Sequence, residues 1–223
     1  MRRPIHMQVA RLAQAMASPV RLRALNLMAQ RPWRVSELAD ELGESLAATS
    51  AHLKVLRAAC MVVDEKRGRD VWCRVESDEV LRLLSAAQRT AEAVLPDLRE
   101  VVREANEDPH LLPCFDLREI VDDVSQGRVT LVDLRPENEY AAGHLPGARS
   151  LPFPTLDRAD LSPLMKKRRV VAYCRGPWCV MAREGVKALN DRGVRAKRLA
   201  AGTVEWRAQG LDLSRDDSSP GTN

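Results

Sequence analysis

At 223 residues, with 45% hydrophobic and 30% charged residues, the chain has an ordinary globular balance and the length of two domains of roughly 100 residues each. It holds no apolar run of the ~18 residues that crosses a bilayer and no apolar signal core behind its basic start, MRRPIHMQVARLAQ, so a cytoplasmic protein without a membrane partner is expected. A net charge of +4 is too small to argue for nucleic acid by itself, and five scattered cysteines do not make a disulfide framework.

In chain order the first half reads as helices. Ser18 caps a helix with Pro19 at its first position, and VRLRALNLMAQ carries apolar residues at helical spacing. Ser36 is expected to cap a second helix, ELADEL, ended by Gly43, and Ser45 to cap a third, LAATSAHLKVLRAA. Two short amphipathic helices around a glycine-containing turn are the helix-turn-helix pattern. MVVDEKRGRDVWCRV follows as two β-type runs around the polar turn Glu65 to Asp70, a hairpin. One long helix is predicted over roughly 78–107, with Leu81, Leu84, Ala91, Leu95, Leu98 and Val102 on or near one face.

NEDPHLLP is polar, carries two prolines and marks a linker. Beyond it, strand-like VTLVDL (129–134), VVAYC (170–174) and AKRLA (196–200) alternate with helical LREIVDDV (117–124) and VMAREGVKALND (180–191). That alternation predicts an α/β domain with a largely parallel sheet. SRDDSSPGTN is too polar to pack and is expected to be disordered. The predicted organisation is a mainly α winged helix-turn-helix domain at 8–105, a linker at 106–114, an α/β domain at 115–213 and a tail at 214–223.

The third helix reads as a recognition helix. Leu46, Leu53 and Leu56 are expected in the core, while small residues near its start permit close approach to a major groove. Ala48, Thr49, Ser50, His52, Lys54 and Arg57 are the expected DNA-facing positions, with Ser50 and His52 suited to phosphate or base edges. At the hairpin tip Lys66, Arg67 and Arg69 surround Gly68, which suits a wing lying along the phosphate backbone. A solvated charged turn beside a dimerising helical pair is the plainer reading of the same residues.

The run SELADELGESLAATSAHLKVLRAA followed by KRGRDVWCRV resembles the ArsR-type winged-helix repressors, with Ser-x-His-Leu-x-x-Leu-Arg at Ser50 to Arg57 as its core. The resemblance implies a homodimer, held mainly by the first and last helices, on a pseudo-palindromic double-stranded DNA operator. Metal-sensing members carry a Cys-x-Cys pair around the second helix; here Arg34, Ser36 and Ala39 occupy that region, so no metal site is expected there. Cys60 stands where the family usually has glycine after the recognition helix, a position favouring left-handed backbone. Cys60 and Cys73 are read as buried structural thiols, with redox reporting as the alternative; Cys114 has no assigned role.

In VVAYCRGPWCVMA, two cysteines flank one tight loop, Arg175, Gly176, Pro177 and Trp178. A metal clip lacks a second cysteine pair or nearby histidine, and a structural disulfide suits a reducing compartment poorly. A phosphatase-type loop needs an arginine six residues after the nucleophile, where this chain has Val180. A sulfur nucleophile remains. Cys174 ends a strand, and the loop leads into a helix N-terminus whose amides, with Arg175, are expected to lower the Cys174 pKa. An inert cysteine at a strand end is the competing reading.

Residues 115–213 resemble the rhodanese (sulfurtransferase) domain: Asp133-Leu-Arg135-x-x-x-Glu139-Tyr140-x-x-Gly143-His144-Leu-x-Gly147-Ala148, then Cys174, then Ala201-Gly202-Thr-Val-Glu-Trp206, where the usual Gly-Gly is Ala-Gly. The resemblance implies a cofactor-free ping-pong transfer. Cys174 takes sulfur from thiosulfate, a polysulfide or a persulfide and passes it to a thiol or another acceptor. Asp133 and Arg135 order the loop, and the amides of 175–179 cradle the anionic sulfur. Trp178 and Cys179 replace the late cation of thiosulfate-preferring loops, pointing to a hydrophobic or thiol-bearing donor, with Cys179 as a resolving thiol or a residue that simply packs. The whole reads as a DNA-binding regulator whose rhodanese domain senses or handles reactive sulfur. A sulfurtransferase tethered to DNA without a switch, and a repressor with an inactive rhodanese module, are the alternatives.

Overall fold

The structure is a computed structural model and describes residues 3–112, 116–167 and 169–215. Cys114, the end of the expected linker and the tail beyond 215 lie outside the described residues. The chain divides into two compact units, the first ending at Leu81 and the second beginning at Arg82.

The first unit runs α1 (Arg3–Met16), α2 (Pro19–Met28), β1 (Trp33–Arg34), α3 (Val35–Leu42), α4 (Leu46–Ala58), β2 (Val62–Arg67) and β3 (Asp70–Val75). Ser18 caps α2, its side chain accepting from the Arg21 N–H at 3.4 Å, and Pro19 costs nothing there because its missing donor would have had no helical partner. Ser36 caps nothing: α3 begins one residue before it, with Arg34 at the cap position. Gly43 closes α3 in left-handed backbone, φ +72°, and Ser45 caps α4 by accepting from the Ala48 N–H at 3.1 Å.

β2 and β3 form the expected hairpin with a tighter turn than predicted, since Arg67 already pairs with Asp70. β1 adds a third antiparallel strand beside β3, with Trp33 opposite Cys73. Ala24, Leu25, Leu38, Leu53, Leu56 and Met61 fill the core between helices and hairpin. Each of these Leu and Met side chains contributes roughly 1.5–3 kcal/mol by leaving water.

The helix predicted over 78–107 is two helices, α5 (Asp78–Val94) and α6 (Pro96–Asn106). Pro96 removes a backbone donor and drives Leu95 to extended backbone, φ −97°, ψ 110°, so the apolar periodicity survives the break while the helix does not.

The second unit continues with α7 (Leu117–Ser125), β4 (Thr130–Asp133), α8 (Glu137–Ala142), β5 (Arg149–Ser150), a 3-10 segment (Phe153–Arg158), α9 (Ser162–Met165), β6 (Val170–Tyr173), α10 (Val180–Asp191), β7 (Ala196–Arg198) and α11 (Thr203–Ala208). The sheet is parallel throughout, in the order β5-β4-β6-β7. Parallel strands are buried on both faces. Val170, Ala172 and Cys174 pack toward Ala182, Val186 and Leu189 of α10, while Val171 and Tyr173 pack toward Leu117, Ile120 and Trp206. Ser214, assigned to the tail from sequence, instead pairs with His144 through two backbone hydrogen bonds of 2.9 and 3.0 Å.

Candidate functional site

The helix-turn-helix presents part of what the sequence proposed. On α4, Ser50 and Lys54 are exposed and Ala48 and His52 half-buried, while Leu53 and Leu56 are in the core as expected. Leu46, expected in the core, is 57% exposed, because the first residue of the helix projects past the packed face. Thr49 is fully buried beneath α4, so it faces the core and not a groove, and its hydroxyl has no hydrogen-bond partner among the described residues.

Arg57 is turned inward as well. Its Nε donates to Asp64 Oδ1 at 2.8 Å and its Nη2 to Cys73 Sγ at 3.3 Å, tying α4 to the hairpin. Burial pushes the Cys73 thiol up to about 11, so it stays protonated. On the wing, Lys66 and Arg69 are exposed and in no ion pair among the described residues. Arg67 is exposed too, but its guanidinium is held by Glu65 at 3.0 Å and lies 5.1 Å from the Trp72 ring centre. Cys60, read as buried, is exposed, and at φ +57° it adopts the left-handed backbone that glycine would take more easily.

The thiol loop is built on the end of β6. Cys174 is fully buried there and Cys179 is half-buried at the N-cap of α10. Each thiol shifts the titration of the other, and the Arg175 backbone N–H favours the ionised form of both. The expected lowering of the Cys174 pKa is not found. Its hydrogen bond to Cys179 and its burial push the thiol up instead. Cys179 is the member held down, to about 6, by the bond from Cys174 against the cost of burial, with the N–H groups of Arg175 and Ala182 adding to it. Of the two, the half-buried Cys179 is the more acidic thiol and the enclosed Cys174 the less acidic.

Arg175 does not stand as a free cation. Its guanidinium grips both oxygens of Glu139, Nε to Oε1 at 3.0 Å and to Oε2 at 3.1 Å, with Glu139 fully enclosed on α8. Thirty-six residues separate them, so the sequence pattern contains Glu139 but not its partner. Asp133 and Arg135 are likewise buried at 0% exposure, paired at 2.6 Å, and meet the frame around the loop, not the sulfurs. Arg135 donates to the Gly143 carbonyl at 2.8 Å, and Tyr173 donates its hydroxyl to Asp133 at 2.6 Å while accepting from the Leu145 N–H at 3.0 Å.

Behind the loop stands Gly202. A side chain there would place its first carbon 2.4 Å from the Cys174 carbonyl oxygen, so glycine is required by close approach. The neighbouring Ala201 is simply buried, which explains why the Ala-Gly departure is tolerated. Gly202 donates to Glu205 Oε2 at 2.8 Å, and burial raises the Glu205 carboxyl. Glu205 and Arg198 are loop supports that sequence reading missed; Glu205 could have been found in the closing signature, Arg198 carried no local signal. Among the described residues no cluster of His, Cys, Asp or Glu fits a metal ion, and no helix is long and apolar enough to cross a membrane.

A winged helix-turn-helix joined to a parallel α/β unit with a cysteine loop at a strand end defines a two-part class, a DNA-binding regulator fused to a rhodanese fold. The bacterial regulatory protein arsR family matches residues 18–62, and the rhodanese-like domain family matches residues 116–209. The HTH-type transcriptional regulator Rv0324 of Mycobacterium tuberculosis is 37% identical over 214 residues, which are 96% of this chain and 92% of that protein. The chain belongs to the ArsR family of transcriptional regulators, in the form that carries a C-terminal rhodanese-like domain. NmtR of the same organism is 36% identical over 80 residues, 36% of this chain and 67% of that one. A solved homodimeric winged helix-turn-helix DNA-binding domain, fragment 1–100 of Mb0332 from Mycobacterium bovis, is 31% identical with a TM-score of 0.40, covering 42% of this chain and 87% of that one.

Proposed function

We propose that this regulator binds its operator as a cytoplasmic homodimer and that its rhodanese domain takes sulfane sulfur onto the Cys174–Cys179 pair, changing operator affinity. The observation that carries the reading is a coupled pair of thiols, Cys174 enclosed at the end of β6 and Cys179 half-buried at the start of α10. On the DNA side, the exposure of Ser50, Lys54, Lys66, Arg67 and Arg69 supports the reading, and Ile5, Met7 and Val9 of α1, each more than 60% exposed, offer apolar surface for a second copy.

The chemistry runs on this pair without a metal or cofactor. The Cys179 thiolate attacks a sulfane sulfur of a polysulfide. The S–S bond breaks, the shortened polysulfide leaves with the bonding electrons, and Cys179 carries a persulfide. Cys174 then gives up its proton and attacks Cys179 Sγ. Hydrosulfide leaves and a disulfide closes, so two thiols are oxidised and one sulfane sulfur is reduced. An external thiol that takes the outer sulfur first restores the pair and completes a transfer.

The opposite order, with sulfur first on Cys174 as the rhodanese likeness implies, is supported by the Arg175 N–H at the Cys174 sulfur and requires its proton to cross to Cys179. Intact-mass spectrometry after polysulfide and after thiosulfate, on wild type, Cys174→Ser and Cys179→Ser, separates these. A gain of about 32 Da that needs Cys179 supports entry there, and one that needs Cys174 supports the other order. No cysteine-dependent change with either donor refutes the sulfur reading. Operator affinity at fixed salt, before and after treatment, tests the coupling, and equal affinities refute it.

A further inference from the structure

β7 is the last strand of the parallel sheet, and the stretch that follows α6 lies along its open side. Leu111 bridges Arg198 in parallel register, the Arg198 N–H donates to the His110 carbonyl at 2.7 Å, and the Leu112 N–H donates to the Arg198 carbonyl at 2.8 Å. Lys197 Nζ adds a bond of 2.8 Å to the Pro109 carbonyl. The Arg198 side chain does something different from its backbone. It is 98% enclosed, its Nε donates to the buried Asp108 Oδ2 at 3.1 Å, and its Nη1 donates to the Pro177 carbonyl at 3.1 Å. Asp108 is itself fixed, its Oδ1 accepting from the His110 N–H at 2.8 Å.

One guanidinium thus joins two segments 69 residues apart in sequence, Asp108 and Pro177, and the second is the middle of the cysteine loop. A planar fork with several donors can hold a carboxylate and a carbonyl together, which an ammonium on a flexible stem does less well. Pro177 has no N–H and a fixed φ, so its carbonyl is a firm handle on a loop otherwise made pliable by Gly176 at φ +148°. A buried Arg–Asp pair is weak evidence for stability, since charge burial offsets most of the attraction. Its geometric effect is to fix where the loop sits.

We propose that Arg198 is a positioning residue that ties the cysteine loop to the segment Asp108–Leu112, so that the covalent state of Cys174 and Cys179 is read as order or disorder in the stretch where the chain leaves α6 for the rhodanese fold. Closing a bond between Cys174 and Cys179 draws the loop ends together and moves the Pro177 carbonyl between them. Arg198 then keeps either the carbonyl or Asp108, and the backbone bonds of His110 and Leu112 follow. The inference deepens the sulfur-sensing reading, because it names how the loop would be heard along the chain, yet its test does not need a sulfur donor.

The experiment uses the full-length protein, reduced or oxidised with diamide, whose azo group takes two electrons and two protons from the thiol pair. Hydrogen exchange is followed at the amides of Leu112 and Arg198, and iodoacetamide alkylation of Cys179 is followed against pH. In wild type, oxidation is expected to speed exchange at both amides tenfold or more. In Asp108→Asn and Arg198→Lys, the reduced protein is expected to show that fast exchange already, and the alkylation midpoint of Cys179 moves upward as the loop loosens. Lys197→Ala loosens the same segment without touching Pro177 and leaves the alkylation profile at its wild-type position.

If Arg198→Lys does not fold, Asp108→Asn carries the test alone. Unchanged exchange on oxidation overturns the inference, and so does a wild-type alkylation profile in Asp108→Asn, because a merely structural pair would lower stability and leave the thiol midpoint where it was. A protein that responds to diamide in this way but gains no sulfur from polysulfide would sink the sulfur reading and leave this one standing.

Discussion

Replacing Gly202 by alanine places one methyl group against three backbone atoms, 2.4 Å from the Cys174 carbonyl oxygen and 3.1 Å from the Arg175 carbonyl carbon and the Gly176 nitrogen. None of the three can rotate aside, so the cysteine loop must move by roughly 1 Å to restore ordinary contact. Forcing a methyl into a packed site costs about 1–3 kcal/mol, which lowers the Tm of a unit this size by roughly 4–12 °C. The strain falls on the peptide that follows Cys174 and so on the approach of the two free thiols. Calorimetry and iodoacetamide labelling of Cys174, silent in wild type because the residue is buried, measure the two consequences together. Ala201→Gly is the matched control and is expected to leave the labelling unchanged, since Ala201 only fills space. A Gly202→Ala protein with wild-type Tm and an unlabelled Cys174 would refute the close approach of Gly202 to the loop backbone.

Alkylation of Cys179 should rise with pH through a midpoint near 6 and be close to its plateau at neutral pH, and Cys174→Ala, which removes the hydrogen-bond donor, should move that midpoint upward. Glu139→Gln leaves the Arg175 guanidinium without its carboxylate in a half-buried site and should cost about 1–3 kcal/mol in urea unfolding, much of it recovered when Arg175 is also made Gln. Thr49→Val replaces a buried, unpartnered hydroxyl by a methyl and should gain about 1 kcal/mol with operator affinity intact; a loss of affinity would show that Thr49 faces the DNA. Lys66→Ala with Arg69→Ala should weaken operator binding and reduce the salt slope by about 1 for each phosphate contact removed, as read by fluorescence anisotropy across a salt series.

Much of this molecule was legible because its signals are local. Ser45 and Gly43 each act within one turn of backbone, the run VMAREGVKALND is one continuous periodic segment, and α10 spans the predicted residues. Pro96 was local too, yet the apolar stripe ran on through it and masked the break, a case where periodicity reports which face is buried without reporting whether the helix is continuous. What the sequence could not carry was partnership across distance. Glu139 with Arg175 and Asp108 with Arg198 are 36 and 90 residues apart, and no spacing rule pairs them. The thiol loop was found from its place between a strand and a helix, but which thiol is the more acidic depends on their mutual coupling and on the N–H groups of Arg175 and Ala182 beside Cys179, which no spacing shows.

Both arginines beside the cysteine loop are spoken for, Arg175 by Glu139 and Arg198 by Asp108, so each brings its own countercharge with it. To an incoming solute neither guanidinium is an unbalanced positive charge, so the loop amides and the thiol pair itself set the polarity met there. A doubly charged donor gains no net attraction from these two paired cations and must shed its water against weak compensation. Donors are then ranked by how soft their sulfur is and how readily the remaining fragment departs, a choice made at the bond being broken and not on the way in.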